Sequence, residues 1–240
     1  MMNKEKESFQ TTGLKMATEA DVLDRIILPI MIVLNTILFA IMAFFNAAAS
    51  TQLIEGLFKN KTNEISYIAE VSITPAGWTF STWGIIYAWQ ALWLIFNVVL
   101  IFIKDKDGQP LFRSPVVLSP LFHLFITFNF ILNIVWLFIW DNQDFTGAFI
   151  GSFFMTAVLY VAIVISHKNV YDAQNELSST KWVIWLYRIF VNNGLAFYAT
   201  WITVATSLNL AIAITYKWTG LFFKINLCYI LKLIKISNIF

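Results

Sequence analysis

The chain has 240 residues, of which 59% are hydrophobic and only 12% are charged, and its net charge is +2. Soluble domains carry about a quarter charged residues, so this composition excludes an ordinary soluble globular protein and indicates lipid as the main solvent. The small net charge gives no sign of a nucleic-acid partner. The single cysteine excludes an intrachain disulfide framework and a cysteine-rich metal site.

The first 25 residues are predicted to form a polar N-terminal tail that mixes acidic and basic side chains. This tail is too acidic for the start of an ordinary signal peptide and too poor in arginine for a transit peptide. The small residues at 47–50 resemble a cleavage site, but the apolar run before them is longer than a usual signal-peptide core. We therefore interpret that run as the first membrane-spanning helix.

The middle of the chain is predicted to be one membrane domain, residues 26–216, with an all-α fold of five transmembrane helices. A spanning helix needs about 20 apolar residues. Five runs meet this requirement: residues 26–49, 78–103, 116–140, 145–166 and 182–216. The fifth run is too long for one perpendicular span, so we expect residues 182–190 to lie along the interface before the helix turns inward near Asn192, Asn193 and Gly194.

The C-terminal residues 217–240 have a different character, because lysines are spaced through isoleucine and leucine. We interpret them as an atypical tail, and two alternatives stay open for it. The first is an amphipathic helix at the membrane interface. The second is a truncated end that replaces further helices.

The distribution of basic residues predicts the orientation of the five spans. The side that holds the N-terminus carries ten of the 16 Lys and Arg residues, so the positive-inside rule places it in the cytoplasm. The link at residues 50–77 then lies on the other face, where Asn60 begins an Asn-Lys-Thr glycosylation pattern. These two features favour a membrane of the secretory pathway.

Aromatic and polar side chains recur at helical spacing in three of the predicted spans. These stripes are Phe80, Trp83, Tyr87 and Gln90 in the second helix; Asn129, Asn133, Trp136 and Trp140 in the third; and Tyr198, Trp201, Ala205 and either Leu208 or Asn209 in the fifth. Because the second helix begins on the face of the long link and the other two end there, the stripes share one leaflet. They predict either a cavity beneath the link or an aromatic belt with ordinary helix packing.

These residues resemble the TspO/translocator family of tryptophan-rich sensory proteins. The matching residues are Pro75, Trp78, Phe80, Trp83 and Tyr87 of the second helix, Leu132-Asn133-Ile134-Val135-Trp136 of the third, and residues 197–209 of the fifth. The chain departs from the family pattern in two places. Phe80 and Trp83 are one residue closer together than in the family, and Phe197 replaces a proline.

The resemblance implies a five-helix bundle, commonly a homodimer, with an apolar pocket closed by the link between the first two helices. Relatives of this type bind porphyrins or sterols and act in transport, sensing or regulation, and mitochondrial members lie in the outer membrane. The resemblance assigns ten residues to the ligand site: Trp78, Phe80, Trp83, Tyr87, Asn133, Trp136, Tyr198, Trp201, Ala205 and Leu208. The resemblance implies no required cofactor, although a bound porphyrin or haem would fit. The partners that it implies are membrane lipid and a small hydrophobic ligand.

Other functions stay open as alternatives. A structural or adaptor protein is supported by Gly147 and Gly151, whose spacing suits helix packing. An ion-driven carrier is disfavoured because no Asp or Glu falls within a predicted span. An enzyme is conceivable only as degradation of a bound porphyrin beside Trp136 or Trp201, and no catalytic residue is assigned. We interpret His123 and His167 as polar residues at the interface rather than as haem ligands.

Overall fold

The computed structural model describes residues 2–105, 108–113, 115–175, 177 and 181–219, with side chains from residue 25 onward. Seven α-helices lie in this part of the chain: α1 (Met2–Thr51), α2 (Thr62–Ile68), α3 (Thr82–Phe102), α4 (Pro120–Asp141), α5 (Phe145–Ala173), α6 (Lys181–Leu186) and α7 (Asn193–Ala213). A 3-10 turn, Gly77–Ser81, precedes α3, and wider π-type turns, Tyr187–Asn192 and Ile214–Trp218, flank α7. The predicted C-terminal tail lies almost entirely outside the described residues.

Five helical stretches are long and apolar enough to cross a membrane. They are Arg25–Thr51, Gly77–Phe102, Pro120–Asp141, Phe145–Ala173 and Lys181–Trp218, with mean hydropathy between 1.5 and 2.6. The prediction of an all-α bundle with five membrane spans is therefore confirmed. The polar residues 2–24 continue the backbone helix of α1 rather than forming a separate element.

Capping side chains fix the beginnings of α4 and α5. Ser119 caps α4 by accepting from the backbone N–H of Phe122, and Pro120 occupies the first turn, where its missing N–H has no consequence. Asp144 caps α5 by accepting from the N–H of Gly147 at 3.1 Å. Because the turn between them is tight, α4 and α5 lie antiparallel. The chain therefore returns to the membrane face on which α4 begins.

The five spans form a closed ring in which each helix packs against two neighbours. The order around the ring is α1, α4, α5, α7, α3 and back to α1. Large apolar side chains from all five helices fill the centre of the ring, among them Ile32, Trp93, Phe122, Leu159 and Leu195. This order brings α3, α4 and α7, the three helices with aromatic stripes, around one interior.

The beginning of the fifth span packs one face against the bundle. Val183, Ile184 and Tyr187 are buried in the main core, and the ring of Tyr187 packs edge-on against Phe96 of α3. The expectation that this segment lies along the membrane interface stays a prediction. A wide helical turn, Tyr187–Asn192, interrupts the helix directly before Asn193 and Gly194, where the inward turn was expected.

The two glycines proposed for helix packing face α4 of their own chain. A Cβ on Gly147 would meet the carboxylate of its own cap, Asp144, and would lie 3.0 Å from Cγ2 of Ile139 in α4, whereas one on Gly151 would make an ordinary 3.7 Å contact with Cδ1 of Trp136. Only Gly147 therefore leaves too little room for a larger side chain. The homodimer that the resemblance implies stays a prediction.

Candidate functional site

A cavity opens inside the ring at the end where α2 covers the bundle. It has an inner lobe of about 240 Å³ and an outer lobe of about 230 Å³. Both lobes share six lining residues: Thr62, Phe80, Trp83, Trp136, Ala205 and Asn209. The inner lobe continues toward Asn133 and Met155 at the bundle centre, and the outer lobe continues toward Val204 and Leu208 along α7.

The structure brings eight of the ten candidate site residues to this cavity. They are Phe80, Trp83, Tyr87, Asn133, Trp136, Trp201, Ala205 and Leu208. Trp78 instead projects outward and is 77% exposed. Tyr198 is buried behind the cavity wall, where its ring meets Trp83 edge-on at 6.3 Å. The role of these residues in holding a ligand stays a prediction.

The short spacing between Phe80 and Trp83 is accommodated by the turn that precedes α3. Phe80 lies in the 3-10 turn Gly77–Ser81, and Trp83 lies in the first turn of α3. Both side chains line the same cavity although they are closer in sequence than in the family pattern. Continuing as an α-helix, the chain brings Tyr87 onto the same face, one turn after Trp83.

Trp83 is the centre of the aromatic wall. Its ring stacks on Tyr87, with centroids 5.6 Å apart and an interplanar angle of 26°, and meets Trp201 edge-on at 6.1 Å. On the opposite side of the cavity, Trp136 and Trp140 stack at 5.3 Å. Stacked and edge-to-face pairs of this kind hold rings in defined positions. The cavity therefore has rigid, largely apolar walls.

A hydrogen-bonded network crosses the floor of the inner lobe. The hydroxyl of Tyr87 donates to Oδ1 of Asn46 at 2.7 Å, and Nδ2 of Asn46 donates to Oδ1 of Asn133 at 2.7 Å. In turn, Asn133 reaches the sulfur of Met155 on α5 at 3.8 Å. Four helices are thereby joined at one depth, which fixes the distance between the walls.

Several polar atoms around the outer lobe have no hydrogen-bond partner among the described residues. They are Oγ of Ser66, Nε1 of Trp136, Nε1 of Trp201 and Oδ1 of Asn209, and all four are buried. Each belongs to a residue that lines the outer lobe. Unpaired buried polar groups cost about 1–3 kcal/mol each, so this region has unused capacity to donate and accept hydrogen bonds.

The segment that covers the cavity is fastened to the end of α4. Asp141 is buried, and its carboxylate accepts from the backbone N–H of Lys59 at 2.9 and 3.1 Å and from that of Asn60 at 3.0 Å. The indole N–H of Trp140 donates to the carbonyl of Thr62 at 3.1 Å. Residues 59–70, which include α2, thus form a lid held over the cavity, and Thr62 contributes to both lobes.

Comparison with known protein families gives one match, to the family described as TSPO-like protein, over residues 32–237. The matched region covers most of the chain and includes all five spans except the start of the first. The chain belongs to the TSPO-like protein family. Comparison with curated proteins and with solved structures found no significant match. Membership of the family agrees with the resemblance carried by the tryptophan motifs.

Parts of this TSPO-like cavity were not found from the sequence. The missed residues include Asn46 and Ser50 of α1, Thr62, Asn63 and Ser66 of the lid, Ile73 of the segment that follows it, Ser152 and Met155 of α5, and Ile202, Val204 and Ser207 of α7. An asparagine within an apolar span, such as Asn46, is a recognisable signal because polar groups are costly in lipid. Asn209, the alternative considered beside Leu208, also lines both lobes.

The two histidines of the TSPO-like chain are placed differently from each other. His167 is exposed near the end of α5. His123 is fully buried, with Nδ1 at 3.0 Å from Nδ2 of Asn35 and Nε2 at 3.3 Å from Nδ2 of Asn97. The interpretation of His123 as an interfacial residue is therefore wrong: it joins α1, α3 and α4 within the bundle, where Nδ1 lies beside the amide of Asn35 and Nε2 lies beside the amide of Asn97.

Proposed function

We propose that this TSPO-like membrane protein binds a flat hydrophobic ligand, a tetrapyrrole or a sterol, in the cavity beneath the lid, and that binding serves transport, sensing or regulation. The single observation that carries the proposal is the rigid aromatic wall around Trp83, which faces an enclosed space. The two lobes together fall within the roughly 300–1,000 Å³ typical of small-molecule sites.

The chemistry of the lining supports a ligand with a large apolar surface and few polar groups. Indole and phenol rings supply extended apolar faces, each with one polar edge. The unpaired atoms of Ser66, Trp136, Trp201 and Asn209 are buried in the cavity wall, and they would orient such a ligand once these side chains turn toward the lobe. The described lining residues are aromatic, aliphatic or uncharged polar side chains, which suits a ligand body without formal charge.

Titration of the purified protein with protoporphyrin IX tests the proposal. We expect saturable quenching of tryptophan fluorescence with a dissociation constant near 1 µM, about −8 kcal/mol. Competition with cholesterol then distinguishes a tetrapyrrole from a sterol as the preferred ligand class. Free N-acetyltryptophanamide at matched absorbance corrects for light absorbed by the porphyrin.

Linear quenching that never saturates would contradict the proposal. The aromatic residues would then serve as an interface belt in a structural or adaptor protein, and the outward position of Trp78 already suits such a belt.

A further inference from the structure

The outer lobe reaches the outside of the bundle between two segments. One is the connection from α2 to α3, residues 71–81, which we name the strap. The other is the face of α7 that carries Val204, Ser207 and Leu208. Ile73 of the strap is 58% exposed and Val204 is 53% exposed, and both line the cavity. The cavity therefore has a rim on the lateral surface, where the bundle faces lipid.

The lid itself is fastened at both ends. Its beginning is held by Asp141 and Trp140, as described above. At its far end the hydroxyl of Tyr216 donates to the carbonyl of Glu70 at 2.9 Å. Between these points Ile65 and Ala69 are buried in a small apolar cluster with residues of α4, α5 and α7. Lifting the lid would break all of these contacts together.

The strap, by contrast, makes its described hydrogen bonds with nearby residues of the chain, although Val71 at its beginning packs against the apolar cluster of the lid. Among the described residues its hydrogen bonds run within the segment and onto the start of α3, for example from the N–H of Val71 to Oγ1 of Thr74 at 2.8 Å and from the N–H of Thr79 to the carbonyl of Ala76 at 2.9 Å. An open cleft also separates the beginning of the strap from Ala211 of α7 and Thr215 of the turn that follows it. The strap can therefore move away from α7 without breaking a described hydrogen bond to that helix.

We propose that ligands enter and leave the cavity sideways from the lipid, through a portal between the strap and α7, while the lid stays closed. The proposal rests on the ligand-binding function proposed above and adds the route. Flat apolar molecules concentrate in the bilayer because water excludes them, so a lateral route meets the ligand where it is most abundant. The rim residues Ile73, Val204 and Leu208 are apolar and suit contact with lipid and with such a ligand.

A cysteine inside the cavity measures this route without any bound ligand. Ala205 lines both lobes, and Cys228 is the only native cysteine, so Ala205→Cys in a Cys228→Ser background places one thiol in the cavity. The protein is reconstituted in liposomes and labelled with pyrene maleimide dissolved in the bilayer. Val204→Trp, which adds a bulky side chain at the rim, should slow labelling about tenfold.

Two further variants make the result specific. Val164→Trp places the same side chain on the outer face of α5, where Val164 is 66% exposed, and should leave the labelling rate unchanged. Val204→Phe blocks the rim with a smaller ring and should give an intermediate rate if Val204→Trp does not fold. Gel filtration and thermal unfolding identify the folded variants.

Two outcomes would overturn the portal. One is labelling of the cavity thiol at the unmodified rate in folded Val204→Trp or Val204→Phe protein. The other is faster labelling by a membrane-impermeant cationic methanethiosulfonate than by pyrene maleimide after each rate is divided by that reagent's rate with a free thiol, which would show access from water beneath the lid. Neither labelling experiment uses porphyrin. Failure of the portal proposal can therefore be distinguished from failure of the ligand-binding proposal, which the porphyrin titration tests.

Discussion

Asn46 of α1 donates from Nδ2 to Oδ1 of Asn133 in α4 at 2.7 Å, although 87 residues separate them in the chain. The same Asn46 accepts from the hydroxyl of Tyr87 through Oδ1 at 2.7 Å. One amide side chain thus satisfies a phenol and a second amide at the floor of the cavity. The arrangement joins α1, α3 and α4 where the lobes are deepest.

Replacing Asn46 by alanine should destabilise the bundle by about 1 kcal/mol, because it leaves the Tyr87 hydroxyl and Oδ1 of Asn133 without this partner in an apolar surrounding. Thermal unfolding in matched detergent measures the change. Ser207→Ala is the control, since that exposed hydroxyl only donates to the carbonyl of Thr203 in its own helix. Equal stability of the two variants would contradict the structural role of Asn46.

Trp83→Ala should weaken protoporphyrin IX binding by about 1–3 kcal/mol, because it removes the ring that stacks on Tyr87 and meets Trp201 in the cavity wall. Fluorescence titration measures the dissociation constants. Trp89→Phe is the matched control, since Trp89 lies on another face, where its N–H donates to the carbonyl of Ile189 at 3.1 Å. Equal loss of binding in both folded variants would exclude Trp83 as a specific contact.

Asp141→Ala should loosen the lid, because three backbone N–H contacts from Lys59 and Asn60 lose their acceptor. Hydrogen bonds to a charged group contribute about 1.5–3 kcal/mol, so amide exchange at residues 59–60 should accelerate at least tenfold. Mass spectrometry of the exchanged peptides measures this. Asn142→Ala, which removes only an exposed acceptor for Nζ of Lys59, should change exchange much less.

Unchanged exchange in Asp141→Ala would show that burial of Ile65 and Ala69, rather than the carboxylate, holds the lid.

Two glycine substitutions should have opposite effects. A Cβ on Gly194 would lie 2.7 Å from Cδ1 of Trp89, so Gly194→Ala should destabilise the protein by about 1–3 kcal/mol. Gly84 in α3 has no atom within 4 Å of its added Cβ, so Gly84→Ala should be neutral or stabilising by up to about 1 kcal/mol. Thermal unfolding of both variants checks the prediction. A stabilised Gly194→Ala protein would mean that Trp89 moves aside readily.

The sequence by itself was sufficient to determine the fold class. Runs of apolar residues long enough to span a bilayer predict helices, because an unpaired backbone is too costly in lipid, and the structure has five such spans. Helical spacing also predicts which residues share a face. It placed Trp83 with Tyr87 and Asn133 with Trp136 before their partners were known.

Only the tertiary structure decided what those faces meet. Asn46 was missed because a single asparagine in an apolar run does not indicate which residue it will contact, and here that residue lies 87 positions away. Trp78 was assigned to the site, but the tight turn before α3 directs it outward. His123 is buried, and asparagines from two other helices lie within hydrogen-bond distance of its ring nitrogens. Periodicity depends on neighbours within two turns, whereas a cavity, a fastened lid and a lateral rim depend on how separate helices pack.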